Sequence, residues 1–337
     1  MLKMMEISRI NQLWTQLASN APSQSGFVKT RYSDTAPCPL YLGQLAGNLR
    51  CLLIRVPLHV ASNAHVERNL KGIKVEKMAE STDSVLLSLC LQDRNFEDIF
   101  NILLSDIISN VIELSDPRQV LRQFLSRVDK WHALLEKAAT SGLTPEEHRG
   151  LYGEIFLLRK MLLALPDPEK PLTAWVGSDK AVRDFQYGVC ALEVKTSQGN
   201  NHQRVHISSE RQLDTTTVGH LYLFHLSLDT QQAAGESLND LVDSVSSFLL
   251  YDFRLYSQFQ FKLVQAGYLP AHRELYANKG YVIRTETFYS VEGAFPRIEE
   301  NDLRHGVGDV KYSIIISDCE SYQTNENSVY QILNQAW

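Results

Sequence analysis

Three side chains near the middle of the chain have the types and spacing for phosphate chemistry. The stretch VRDFQYGVCALEVKTS (182–197) places Asp184 nine residues before Glu193 and follows that glutamate with Lys195. Alternate residues of a strand share a face, so Glu193 and Lys195 point one way and Leu192 and Val194 the other. A two-residue turn at Tyr187-Gly188 would set Asp184 opposite Ala191, on the face of Glu193 and Lys195. A three-residue loop would send it to the other face, because a slip of one residue inverts every side chain. Two carboxylates with an ammonium beside them suit a hard cation, Mg²⁺ or Mn²⁺, which accepts carboxylate, water and phosphate oxygens together. Such an ion acidifies a water and stabilises charge on a phosphoryl oxygen, and a lysine can orient that water or hold the phosphate. The combination fits hydrolysis of a phosphodiester.

A third carboxylate points the same way. Thr144-Pro145-Glu146-Glu147 predicts a helix start, with a capping threonine, proline at the first helical position and Glu147 completing a capping box. The helix should run to about Leu165, where Pro166 and Pro168 end it. At 100° per residue, Glu154 lies within about 60° of Leu151, Leu157, Leu158, Met161 and Leu165, inside the apolar stripe. A glutamate there is costly unless it is paired or serves a metal. Gly150 and Gly153 flank it and would permit close backbone approach.

These residues need elements to hold them. Residues 26–92 read mainly as strands, including LRCLLIRVPL, GIKVEKMAE and DSVLLSLCLQ. The period then becomes helical from Phe96 to about Leu114, and Pro117 opens a second amphipathic segment. Its cations Arg118, Arg122, Arg127 and Lys130 read as a solvated face. After the Glu154 helix come a short apolar segment (Leu172–Val176), the opening hairpin, VHISS (205–209) and HLYLFHLSL (220–228), a buried strand. Helical patterns follow at 238–249 and about 254–267, then strands YVIRTETFYSV and KYSIIIS and a short terminal helix. A break falls at Ser141-Gly142. The divisions expected are a β-rich region at 1–92, a helical connector at 93–143, a core at 144–229 and a C-terminal α/β extension at 230–337 packing on that core.

The ordered set Glu154, Asp184 and Glu193-Val194-Lys195 resembles the PD-(D/E)XK nuclease superfamily. The longer stretches GLYGEIFLLRKML, DFQYGVCALEVKTS, VHISSERQL, FPRI and GVGDVKYSIII resemble an uncharacterised bacterial family of PD-(D/E)XK motif proteins. That resemblance implies a restriction-endonuclease-like αβββαβ core with a mixed sheet in an α/β chain with α+β flanks. It also implies a Mg²⁺- or Mn²⁺-dependent DNA endonuclease, with Asp184, Glu193 and Glu154 on the metal and Lys195 on the nucleophile or phosphate. Its members are often encoded beside restriction or phage-defence components. The implied partners are therefore DNA, an ATPase/helicase or methyltransferase of the same system, and a further copy of the chain. One departure stands out: Arg183 occupies the place of the superfamily's proline before the aspartate.

Other features weigh less. Asp302 and Asp309-Val310-Lys311 repeat a D-x-K beside an apolar strand, but no helix with a buried-face glutamate precedes them. Gln198 and Gln212 could hydrogen-bond a phosphate or a metal-bound water, while His202 and His206 lack the helical geometry for a shared zinc. The five cysteines are odd in number and widely spaced, and read as buried thiols of a reducing cytoplasm. The N-terminal MLKMMEISRINQLWTQLAS has no continuous apolar core of a signal peptide, and no run reaches the ~18 residues of a membrane span. A cytoplasmic location away from membranes is expected. No Walker loop, Rossmann glycine triplet or GxSxG elbow appears, which leaves ATPase, dehydrogenase and elbow-hydrolase readings without support. The net charge of −6 argues against broad attraction to nucleic acid but not against a local groove. The alternative function is a catalytically degenerate nuclease fold acting as a DNA-binding or assembly subunit, and the intact charge set argues against it.

Overall fold

The computed structural model of the protein describes residues 4–19, 27–45, 49–137, 142–179, 181–198, 204–232 and 234–336. It divides into two compact units. The first comprises Met1–Thr140, Phe248–Val264 and Leu269–Ala271, and the second Ser141–Ser247, Gln265–Tyr268 and His272–Trp337. No described helix is long and apolar enough to cross a membrane. His202 and Ser141 lie outside the described residues.

In the first unit α1 (Met4–Ala18) precedes strands β1 (Phe27–Arg31), β2 (Leu40–Leu45) and β3 (Leu49–Pro57). A one-turn α2 (Leu58–Ala61) leads to β4 (Arg68–Leu70), β5 (Ile73–Ala79) and β6 (Ser84–Leu91), and then to α3 (Glu97–Val111) and α4 (Pro117–Lys137). The strands form one antiparallel sheet in the order β1-β2-β3-β6-β5-β4. Period-two alternation divides β3 between its faces. Leu52, Ile54 and Val56 enter the main core with the helices, and Cys51 and Leu53 join a small cluster with Leu86 and Cys90. Phe253, Phe261 and Val264, from much later in the chain, complete the main core. All five cysteines are free and buried.

The basic face expected on α4 is not uniform. Arg118, Arg122 and Lys130 are exposed, but Arg127 turns inward. It donates from Nε and Nη2 to both oxygens of Asp106 at 2.7 Å, and Trp131 adds a bond to Asp106 Oδ2 at 2.9 Å. The guanidinium also lies 4.1 Å from the centre of the Phe261 ring. Burial raises the Asp106 pKa against the opposing pull of Arg127. Asp106→Ala would leave that guanidinium buried without its counter-ion, and should cost about 3–5 kcal/mol in urea unfolding of the full chain. A loss below about 1 kcal/mol would show the pair to be dispensable.

The second unit begins with α5 (Pro145–Ala164) and α6 (Glu169–Ala174), followed by β7 (Phe185–Tyr187), β8 (Cys190–Gln198), β9 (Arg204–Ile207) and β10 (His220–Gln232). Then come β11 (Glu236–Ser237), α7 (Leu238–Leu249), α8 (Phe253–Gln265), α9 (Arg273–Tyr276), β12 (Lys279–Ser290), β13 (Tyr312–Ile315), β14 (Gln323–Thr324) and α10 (Glu326–Gln335); of these, α8 belongs to the first unit. The main sheet runs β11-β12-β10-β8-β7, with β14 beside β12. It is mixed, because β10 pairs parallel to β8 and antiparallel to β12. The chain is thus a mixed α/β protein with several sheets.

Three details depart from the order αβββαβ. Strand β9 leaves the main sheet and pairs β13 instead, and only a single 3₁₀ turn, Glu210–Leu213, stands between β9 and β10. Among the described residues the first of the three strands is also absent before the hairpin. Residues 172–176 are the end of α6 and one isolated bridge, Trp175 to Phe185.

Candidate active site

The hairpin β7–β8 sets the site, and its turn decides the facing. Tyr187 pairs Cys190 and Phe185 pairs Leu192, so the loop is Gly188-Val189, one residue later than Tyr187-Gly188. Gly188 takes the positive φ of 52° that the first loop residue of a type II′ turn requires. The pairing moves by two positions, which preserves facing. Asp184, one step before β7, lies level with Glu193 and no longer with Ala191. Its Oδ2 accepts the main-chain N–H of Val194, between Glu193 and Lys195, at 2.7 Å.

Glu154 arrives from α5. That helix has the expected start: the Thr144 hydroxyl accepts from the Glu147 N–H, and the Glu147 carboxylate accepts from the Thr144 N–H. It packs on β8 at Gly153, where a Cβ would stand 2.6 Å from Thr196 Cγ2 and 3.2 Å from Val194 Cγ1. Gly150 has no such neighbour within 4 Å, so only one of the two glycines is needed for close approach. Glu154 Oε2 accepts the Trp175 indole N–H at 2.7 Å. The main chain just after Trp175 reaches Asp184: Val176 and Gly177 both donate to the Asp184 carbonyl, at 2.8 and 2.9 Å. A Cβ built on Gly177 would lie 2.6 Å from Glu154 Oε2 and 2.9 Å from Asp184 Oδ1. The two carboxylates therefore share the space above one glycine.

Lys195 closes the group. Its Nζ lies 2.8 Å from Glu193 Oε1 and donates to Gln212 Oε1 at 3.1 Å, and Gln212 also accepts from the Ser208 N–H at 2.9 Å. Glu193 is 1% exposed, and its Oε2 is buried with no hydrogen-bond partner among the described residues. Gln198 is elsewhere: it sits on the α5 side of β8 and accepts from Arg149 at 3.1 Å. The second D-x-K, Asp309-Val310-Lys311, occupies a largely exposed loop. His206 shares a hydrogen bond with the Ser313 hydroxyl at 3.1 Å.

Burial and crowding set the protonation. Burial first, then the Asp184 charge, pushes the Glu154 pKa well above the ordinary value, and burial likewise raises that of Asp184. Glu193 is pushed from 4.5 to about 8 by burial and then by Asp184, with Lys195 pulling the other way. Burial works against the Lys195 ammonium, but the Glu193 and Asp184 charges hold its pKa above the ordinary lysine value. Carboxylates made this expensive to ionise are relieved by a cation.

The donor set suits Mg²⁺ or Mn²⁺: three hard carboxylates, one with an orphaned oxygen, two around a space that any side chain at position 177 would fill. Among the described residues no three His, Cys, Asp or Glu side chains form a ready-made cage. Mg²⁺ does not need one, since it keeps several waters and uses one or two carboxylates together with substrate phosphates.

The raised Glu193 pKa has a consequence for stability. Between pH 4.5 and about 8 the folded, metal-free protein holds a proton at Glu193 that the unfolded chain releases. This contribution is full below 4.5 and is lost as pH rises through about 8. The melting temperature in EDTA should fall from about pH 5 to about pH 8, and Glu193→Gln should flatten that fall. Added Mg²⁺ should raise it more at the upper end, because protons compete with the metal. A metal-free melting curve unaffected by E193Q at every pH would contradict the assigned burial.

A helix glutamate, an aspartate at the head of one strand and E-x-K on the next stand beside a mixed sheet in the order of the PD-(D/E)XK, nuclease-like class. Within that class, the chain belongs to the family described as "Putative PD-(D/E)XK family member" (DUF4420), which matches residues 10–317. No curated protein and no solved structure matches it.

Trp175, Gly177 and the Val194 N–H were not foreseen. The tryptophan had a signal: a buried indole N–H needs an acceptor, and Glu154 was the acid lacking a donor. Gly177 had none, because its role depends on where the chain passes and not on its neighbours in sequence.

Proposed function

We propose that this chain is a Mg²⁺- or Mn²⁺-dependent DNA endonuclease of a bacterial restriction or phage-defence system, built on a restriction-endonuclease-like core. The observation that supports this reading is that Glu154 and Asp184 flank Gly177 while Asp184 Oδ2 accepts the N–H of Val194, between Glu193 and Lys195, at 2.7 Å. Asp184 and Glu193 would hold the ion, with Glu154 assisting directly or through water. The ion would neutralise the scissile phosphate and lower the pKa of the attacking water. The Val194 N–H orients Asp184, and the Trp175 indole holds Glu154. Lys195 has three donors and commits two, to Glu193 and Gln212. The third, uncommitted among the described residues, would serve the attacking water or a phosphate oxygen.

The test is to incubate the protein with supercoiled and linear DNA in Mg²⁺, Mn²⁺ or EDTA. New ends should appear only with metal. Absence of any product, even after adding an ATPase/helicase or methyltransferase encoded beside it, would overturn the reading. Salt-sensitive binding that persists without metal and without product would instead identify a DNA-binding or assembly subunit.

A further inference from the structure

Arg183, directly before Asp184, is 9% exposed. A guanidinium so buried is costly unless its donors are satisfied. Here the acceptors are three main-chain carbonyls of one short stretch. Nε donates to Gln212 O at 3.2 Å, and Nη2 donates to Arg211 O at 3.2 Å and to Asp214 O. These carbonyls belong to the 3₁₀ turn Glu210–Leu213 and the residue after it, a place where a helical turn leaves carbonyls without partners of its own. The start of the turn is held too, since the buried Glu210 carboxylate accepts the Val310 N–H at 2.8 Å. Between these anchors stands Gln212, whose side chain receives Lys195 Nζ at 3.1 Å.

We propose that Arg183 is a positioning residue for Lys195, acting through the 210–214 main chain and Gln212. A guanidinium carried on the Asp184 segment fixes the backbone that presents the neutral partner of Lys195. Aspartate and lysine are thereby linked by a second path, besides the Val194 N–H. A contact to the DNA backbone would need an exposed cation, whereas Arg183 is 9% exposed and turns its Nε and Nη2 to main-chain carbonyls. The rate readout below rests on the nuclease reading; the structural readout does not.

Arg183→Lys keeps the charge and loses the fork that reaches three carbonyls. Its crystal structure should show the Lys195–Gln212 hydrogen bond broken, while Mn²⁺ affinity measured by calorimetry stays within about twofold. Cleavage by R183K and by Gln212→Ala should each fall about tenfold, and the double variant should fall about tenfold as well, not about a hundredfold, because both act on one path. Additive losses, an intact Lys195–Gln212 contact, or Mn²⁺ affinity lost together with the rate would each overturn the proposal. If the lysine variant does not fold, Arg183→Gln, which removes the buried charge and keeps a donor, takes its place. Failure of both to fold would make Arg183 a stability residue and also overturn it. Wild-type protein that cuts nothing, with the contact broken in R183K, would uphold the clamp and refute the nuclease reading.

Discussion

Glu193→Ala and Lys195→Ala should each lower Mg²⁺-dependent DNA cleavage by at least about a thousandfold, and for different reasons. Glu193 supplies a carboxylate whose Oε2 has no partner among the described residues, so its removal should weaken Mn²⁺ binding as well as the rate. Lys195 is not a ligand, and its loss should leave metal affinity nearly unchanged. It should tighten binding a little if anything, because its ammonium competes with the ion for Glu193 Oε1 at 2.8 Å. Neither change should unfold the protein. Metal-free Glu193 is strained by burial and by Asp184, so E193A should melt no lower than the parent near pH 8. Initial rates on supercoiled DNA, paired with Mn²⁺ calorimetry, separate the two roles. Cleavage unchanged in both variants would remove Glu193 and Lys195 from the mechanism altogether.

The geometry of the candidate site was legible in the sequence to the extent that local periodicity determines it. Strand alternation alone put Glu193 and Lys195 on one face. Helical phase put Glu154 on the packed side of α5, and the capping box at Thr144 marked where that helix starts. The hairpin turn was misplaced by one residue, yet Asp184 kept its face because both turns have two residues and the pairing shifts by an even number. What could not be read was tertiary. Strand β9 has the same apolar pattern whether it extends the main sheet or pairs β13, and period two carries no partner information. Arg127 looked like one more cation on a solvated helix face, and only the fold brings Asp106 beneath it. Helix α8 gave no sign that Phe261 would pack on Trp131, at 5.4 Å between ring centres, inside a unit most of whose residues lie more than a hundred positions earlier. Arg183 was visible only as a missing proline. Its three carbonyl acceptors belong to a turn whose place in space follows from β9 and β10, not from any local signal.

Gly177→Ala should disable the site through a single methyl group. The added Cβ would stand 2.6 Å from Glu154 Oε2, 2.9 Å from Asp184 Oδ1 and 3.2 Å from Asp184 Cα. The first two contacts are far inside van der Waals range, so both carboxylates must turn away. Asp184 can turn only by giving up the Val194 N–H at 2.7 Å, and Glu154 only by giving up the Trp175 indole at 2.7 Å. The third contact is to main chain that cannot rotate aside, because Gly177 itself donates to the Asp184 carbonyl at 2.9 Å. Mn²⁺ affinity should drop by roughly 10–100-fold, the usual scale for disturbing the groups that orient metal ligands, and cleavage should drop with it. Gly150→Ala is the matched control on the Glu154 helix. Among the described residues nothing beyond its own helix backbone and chain neighbours lies within 4 Å of its Cβ, so it should gain up to about 1 kcal/mol of helix stability and leave metal affinity unchanged. The outcome that matters is the contrast between the two alanines. If G177A binds Mn²⁺ as tightly as G150A, the space between Glu154 and Asp184 is not where the ion sits.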